Sequence, residues 1–235
     1  EAYAFGACQS MGNIVIPTNV SYIGDYAFWD LVMGVCVFMG NAPSMGSNVF
    51  VPGRLSKFKC LNGKSGFTTP TFYNGTACVR INDPSSYIAN LYAVTLGRTA
   101  QPGDILAWRN NIFFERVTGV SLISGFLLGS EYSSRNTSNN QFVIDMYQAC
   151  FARNPAQNEI DQWAVWLNEG VYRIALMNHI KTAQEYIDVC NSFGISTGEF
   201  TLTEWADRYP MPCRFVGRLY TILLNRSAGR KELND

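Results

Sequence analysis

Tyrosine and arginine recur at one fixed separation in the second half of this chain. Tyr92 precedes Arg98, Tyr147 precedes Arg153 and Tyr220 precedes Arg226, each by six positions. Tryptophan keeps the same ruler: Trp108 and Trp163 each lie sixteen positions after their tyrosine. A Glu-Tyr pair closes two of the copies, Glu131-Tyr132 and Glu185-Tyr186, at separations from the tyrosine that differ by a single position. Spacing held across polar, charged and aromatic residues together marks a repeated module, each copy a unit that buries its face on its neighbours. The matching tryptophan of a third copy would fall one position past Asp235, so the chain is expected to stop inside a third module and to be a fragment of something longer.

Within each copy the apolar period is helical. Ile88, Leu91, Tyr92 and Leu96 share one face, as do Phe142, Val143, Met146, Tyr147, Cys150 and Phe151. Asp83-Pro84 supplies a cap and a first-turn proline for the first of these helices. Asn154-Pro155 is expected to open the next helix of the second copy, with Ile160, Trp163 and Leu167 inward and Gly170 just past its end. A third helix is expected over 172–181 and a fourth after a capping box at Thr182-x-x-Glu185. Such a module is about 55 residues of short antiparallel helices. The tryptophans are expected to be largely buried beside their module's first helix. The arginines sit where that helix ends, placed to meet last-turn carbonyls or to pair with the closing glutamate.

These residues, above all Phe142-Val143-x-x-Met146-Tyr147, Arg153, Trp163, Leu167, Gly170 and Glu185-Tyr186, resemble the domain-of-unknown-function family 4214. The resemblance covers about 85–235 and implies a bacterial surface or secreted protein. Many family members carry Asp and Gly between the arginine and the tryptophan. Thr99–Asp104 and Asn154–Glu159 lack that acidic spacing, so the resemblance implies no calcium loop here.

The first half follows a shorter ruler. Tyr3-Ala4-Phe5 returns as Tyr26-Ala27-Phe28, and Ile14-Val15-Ile16-Pro17 is matched by Val35-Cys36-Val37-Phe38 at nearly the same interval. Strands are expected at Ile14–Ile16 and Val35–Phe38, with Pro17 ending the first because it lacks an N–H for the ladder. The run Ile16-Pro17-x-x-Val20-x-x-Ile23-Gly24-x-x-Ala27-Phe28 resembles the BspA-type leucine-rich repeats of bacterial surface proteins, over about 1–53. Residues 51–82 are dense in turn signals, Pro52-Gly53, Asn62-Gly63, Pro70 and Asn74-Gly75, and read as a cap and exit loop, with short strands expected at Phe58–Leu61 and Cys78–Ile81. The expected class is therefore α+β: a short leucine-rich-repeat β-solenoid end with its cap over 1–82, then a mainly α-helical bundle over 83–235. The helical modules are expected at about 85–138, 139–204 and a truncated third at 213–235.

Eighteen basic residues balance eighteen acidic ones, which gives no electrostatic footprint of a nucleic-acid binder. No run of apolar residues is long enough to cross a membrane. Seven cysteines show no Cys-x-x-Cys spacing, and Cys60 and Cys78 are the first pair to test for a disulfide. His179, the only histidine, reads as a surface or half-buried residue rather than a base, although Cys150 near it would be the pair an enzyme needs, and no second histidine can complete a zinc site. The carboxylates Asp145, Glu159, Asp161 and Glu169 read as solvated helix faces rather than a glycosidase pair. No catalytic, cofactor or metal residue is expected. Phe67, Phe72 and Tyr73 are the weak candidates for a binding surface. The expected function is noncatalytic adhesion or protein binding at a bacterial surface or outside the cell, with a protein or glycan ligand. The alternative is a carbohydrate-binding module, with Trp108 among the aromatics to substitute.

Overall fold

The computed structural model describes residues 2–6, 8, 12–51, 53–68, 71–73 and 76–234, without the side chains of 71, 72 and 77. Pro52, Pro70 and the Asn74-Gly75 turn lie outside the described residues. The chain divides into two compact units.

The first unit comprises residues 1–85, 106–116 and 192–194. Its strands are β1 (Asn13–Ile16), β2 (Tyr22–Ile23), β3 (Met33–Phe38), β4 (Ser44–Met45), β5 (Leu55–Leu61), β6 (Thr71–Tyr73) and β7 (Thr76–Ile81). The main sheet has the order β1-β3-β5-β7-β6, and β2 pairs with β4 in a second, two-stranded sheet. β1, β3, β5 and β7 run parallel, whereas β6 turns back antiparallel on β7. Ile14 pairs with Cys36, Cys36 with Phe58, and Phe58 with Cys78. The first two of these steps span equal lengths of chain, so equivalent residues of successive copies stand side by side.

Both faces of the sheet are buried, as parallel sheets require. Cys36, Phe38, Phe58, Cys60 and Cys78 point into one core with Ile23, Phe28 and Phe50. Val35, Val37, Leu61 and Ile81 point into the other, against Phe113. Rings one period apart stack at the side of the sheet, Phe5 on Phe28 and Phe28 on Phe50, each 5.1 Å between centroids. Side-chain oxygens knit the loops in the same register: Asn13 accepts from the Val35 N–H at 2.7 Å and the Asp25 carboxylate from the Ser47 N–H at 2.6 Å.

The α+β class stands, but the leucine-rich-repeat solenoid end with a separate cap is corrected to a small, mainly parallel sheet with a two-stranded companion. Residues 51–82 do not cover an open end. β5 and β7 are full members of the parallel sheet, and β6 adds an antiparallel edge. The turn-rich composition shapes the loops between these strands, while apolar residues at Leu55, Phe58, Cys60, Leu61, Cys78 and Ile81 bury them.

Cys60 and Cys78 face each other across adjacent strands with their sulfurs 3.2 Å apart and are free thiols. Burial pushes the Cys78 thiol up to about 12, so it stays protonated at neutral pH.

Lys59 is an unexpected core residue. Pairing with Val37 puts it on the Val35–Phe113 face, where its side chain is only 1% exposed. Its ammonium reaches the Gly194 carbonyl at 3.2 Å and Glu115 at 2.9 Å, and Glu115 also binds Lys57 at 2.7 Å. Burial draws the Lys59 ammonium below its ordinary value against the pull of Glu115. Removing one partner of a buried pair leaves an uncompensated charge, whereas an apolar replacement of the lysine removes the charge itself. Glu115→Ala is expected to cost about 1–2 kcal/mol in urea unfolding, less than a fully enclosed pair because Glu115 is partly solvated. Lys59→Met is expected to cost less than that or to stabilise.

The second unit comprises residues 86–105, 117–191 and 195–235. The helices along the chain are α1 (Ser85–Leu96), α2 (Pro102–Phe113), α3 (Gly119–Leu127), α4 (Ser130–Ser134), α5 (Asn139–Phe151), α6 (Gln157–Asn168), α7 (Arg173–Ile180), α8 (Gln184–Ser192), α9 (Trp205–Arg208), α10 (Pro210–Leu224) and α11 (Arg230–Asn234). α5 is the central helix of the repeated module, with Phe142, Val143, Met146, Ala149 and Cys150 fully buried. Asp145, expected on a solvated face, is instead 1% exposed. It accepts from the Tyr132 hydroxyl and from Gln141, both at 2.7 Å. Tyr132→Phe should therefore destabilise the chain by about 1–3 kcal/mol, read from its thermal or urea transition, because a buried carboxylate oxygen loses its donor.

Candidate functional site

The recurring arginines are where the sequence concentrates its charge, and the structure shows how each is held. Each first helix ends on a residue in the left-handed region: Gly97 at φ 67°, Ala152 at φ 53° and Asn225 at φ 50°. That residue reverses the chain, and the arginine that follows folds back over the tyrosine of its own helix. Arg98 stands 4.5 Å from the Tyr92 ring centroid, Arg153 5.1 Å from Tyr147 and Arg226 4.9 Å from Tyr220.

An acid then meets each arginine from the start of the next helix. Asp104 lies 3.4 Å from Arg98, Glu159 2.9 Å from Arg153 and Glu232 2.6 Å from Arg226. The same acids accept the backbone N–H groups of Gln101 at 3.1 Å, Ala156 at 2.7 Å and Gly229 at 2.7 Å. One carboxylate thus caps a helix N-terminus and anchors the preceding helix's arginine. Asp104 and Glu232 were missed in the sequence and Glu159 was read as a solvated face, although each follows its arginine at the same interval by which that arginine follows its tyrosine.

In the first two copies the closing glutamate completes the cluster. Glu131 accepts from Arg98 Nε at 2.6 Å, and Glu185 accepts from Arg153 Nε at 2.6 Å. Arg153 also donates to Asn154 O and Glu185 Oε2, and twice to Glu159, so its five N–H groups are all committed. A saturated guanidinium has no donor left for a ligand. Arg153 is a fastening of the module, as its helix-end position implied.

The remaining sequence candidates fall as follows. Trp163 donates its indole N–H to the Tyr147 hydroxyl at 2.8 Å, which ties it to the first helix of its module. It is half-buried rather than largely buried, and Trp108 is half-buried too. Trp163, Trp166 and His179 lie ring to ring, with centroids 5.2–5.5 Å apart. The expected start of α6 at Asn154-Pro155 moves to an N-cap at Ala156. Thr182 does not cap α8: its hydroxyl donates to the His179 carbonyl, and Glu185 is drawn to Arg153. Phe67 is buried in the sheet core, 5.4 Å from Phe38 between ring centroids. Tyr73 accepts the Val49 N–H at 2.9 Å and packs edge-on against Phe50. The side chain of Phe72 lies outside the described residues. Among the described residues no group of three or more His, Cys, Asp and Glu is placed to hold a metal ion.

A cavity of about 360 Å³ opens where the α6–α7 turn meets α10 and α11, bounded by Gly170, Tyr172, Gly217, Thr221, Ala228 and Leu233. In the first unit a second cavity, about 260 Å³, lies at the β1 end of the described sheet and is lined by Phe5, Ile14, Ile16 and Tyr22 among others.

Residues 123–190 match a family described as a domain of unknown function, DUF4214. The match runs from within α3 to within α8 and holds one whole arginine cluster: Tyr147, Arg153, Glu159, Trp163 and Glu185. The leucine-rich-repeat resemblance of residues 1–53 finds no support in these comparisons. Comparison with curated proteins and with solved structures gives no match.

The clusters make a pH prediction. The Arg153 hydrogen bonds, then the Ala156 N–H, hold the Glu159 carboxyl down at about 2, and Arg226 and the Gly229 N–H do the same for Glu232. Folded-state values below the ordinary 4.5 mean stability that is present above about 4.5 and lost as pH falls toward 2. Glu159→Gln should lower the melting temperature at pH 7 and flatten its fall between pH 5 and pH 2, followed by circular dichroism.

Proposed function

We propose that this chain is a noncatalytic binding scaffold that acts by protein–protein contact, in adhesion, at a bacterial cell surface or outside the cell. The observation that carries this reading is the commitment of Arg153 and its acids to one another. The charged residues that recur with the module hold helices together, and the exposed large apolar residues of the helical unit gather mainly on α10. The resemblance of the helical half to a family of surface and secreted proteins supports the compartment.

The test pairs a binding assay with a turnover assay. The purified chain is expected to bind host-cell monolayers or matrix proteins saturably, and to leave peptide, ester, glycoside and phosphate substrates unchanged. Turnover of any of these that a single side-chain substitution abolishes would overturn the reading. On intact cells of the source, the parent protein is expected to be open to added protease.

A glycan ligand is the second reading, and one observation favours it. Trp163, Trp166 and His179 form a ring cluster that is only partly buried, the kind of apolar platform on which a sugar face can rest. On a glycan array, Trp166→Ala is then expected to abolish binding. Loss of cell binding by this variant, with no glycan retained by the parent, would count for a protein ligand.

A further inference from the structure

α10 is the third copy of the module's first helix, and its outward face is bare. Aligning Tyr220 with Tyr147 of the second copy maps Phe142 to Phe215, Met146 to Leu219, Ala149 to Ile222 and Cys150 to Leu223. On α5 all four residues are 0% exposed. On α10 their counterparts are 64%, 38%, 71% and 72% exposed, and Met211 extends the stripe. Five large apolar side chains in one stripe are more than the scattered exposure of an ordinary surface.

In the second copy such a face is covered from both sides in sequence: Tyr132 of α4 meets the Phe142 ring, Tyr87 of α1 donates to the Ala149 carbonyl, and Arg173 of α7 stands over Phe142. α6 brings Trp163 to the Tyr147 hydroxyl, and α8 brings Glu185 to the Nε edge of Arg153 and sets Tyr186 and Cys190 beside Cys150. The third copy repeats the arginine and its first acid, since Glu232 takes both terminal nitrogens of Arg226. The Nε edge differs. In Arg98 and Arg153 it donates to a glutamate, and in Arg226 no described residue accepts from it.

We propose that the bare face of α10 docks a helical segment with the chemistry of α6–α8, supplied from outside these 235 residues. Its apolar stripe covers Phe215, Leu219, Ile222 and Leu223. Its glutamate meets the Nε edge of Arg226, and its indole N–H meets the Tyr220 hydroxyl. The inference rests on the protein-binding reading and gives it one partner class, a polypeptide of the same module type.

The probe is a synthetic peptide of residues 154–192 of this sequence, titrated against the whole chain. Saturable binding is expected, lost in Leu223→Asp. A charge-assisted contact is expected to weaken about tenfold on neutralisation, whether by Arg226→Gln in the protein or Glu185→Gln in the peptide. A chain extended after Asp235 by a copy of residues 163–192 continues the third module in the register of the second, without depending on peptide affinity. Amide-exchange protection of α10 is then expected to rise at least tenfold. Unchanged protection in the extended chain, or peptide binding indifferent to Leu223→Asp and Glu185→Gln, overturns the proposal. So does a dimer of the unextended chain that Leu223→Asp dissociates, because the face would then belong to a second copy. Cell binding that persists in Leu223→Asp would leave the broader protein-binding reading standing while this one fails.

Discussion

A guanidinium placed one residue beyond a left-handed helix end is what the helical modules depend on. The left-handed residue turns the chain, the tyrosine ring on the preceding helix gives the cation a face, and the acid on the following helix gives it a charge. None of the three contacts acts alone. The acid is also the helix cap, so the charge that holds the arginine is the group that starts the next helix. Ala152 shows how firm the arrangement is. An alanine at φ 53° costs about 1–2 kcal/mol where glycine would cost little, and it persists because the cluster around Arg153 fixes the chain on its far side.

Much of this was legible because it is local in sequence. The Tyr–Arg–Trp ruler survives as spacing because a helix of fixed rise and a turn of fixed length lie between those residues. The acids at 104, 159 and 232 lay on the same ruler, yet a carboxylate at a helix start reads as an ordinary cap until a cation is seen on its other side. Asp145 and Lys59 were illegible for the opposite reason. Their burial is decided by partners outside their own element: Tyr132 in one case, Glu115 and Gly194 in the other. Charge at a core-facing position looks like a solvated residue when its counter-charge is not adjacent.

The sheet half divides along the same line. The repeat was visible in the Tyr-Ala-Phe and Ile-Val-Ile copies, but the strand register was not: the sequence match set Ile14 against Val35, whereas Ile14 pairs with Cys36, one residue on. In residues 51–82 the strands expected at Phe58–Leu61 and Cys78–Ile81 fall within β5 and β7, whereas the reading of the stretch as a cap and exit loop gave its turn residues too much weight. Burial follows the few alternating apolar positions, and Phe58, Cys60, Cys78 and Ile81 suffice to continue the sheet through that stretch. Loop chemistry and strand chemistry alternate there every few positions, too finely for composition to separate.

The bare face of α10 raises a physical question, since exposed apolar residues on a short helix ordinarily let it fray. The opposite face answers it. Cys213 and Gly217 are buried, and a side chain at Gly217 would overlap the Glu169 carbonyl, so the helix rests directly on the end of α6. Arg214 and Arg218 both reach Glu169, and Cys213 packs with Ala206 and Leu233. α10 is thus held in shape by one face while the other stays free. A surface ordered before anything binds to it spares the partner that ordering entropy, which is how a modest apolar stripe can support specific docking. The same helix type that opens a module in α5 is in α10 already folded, with its apolar stripe uncovered.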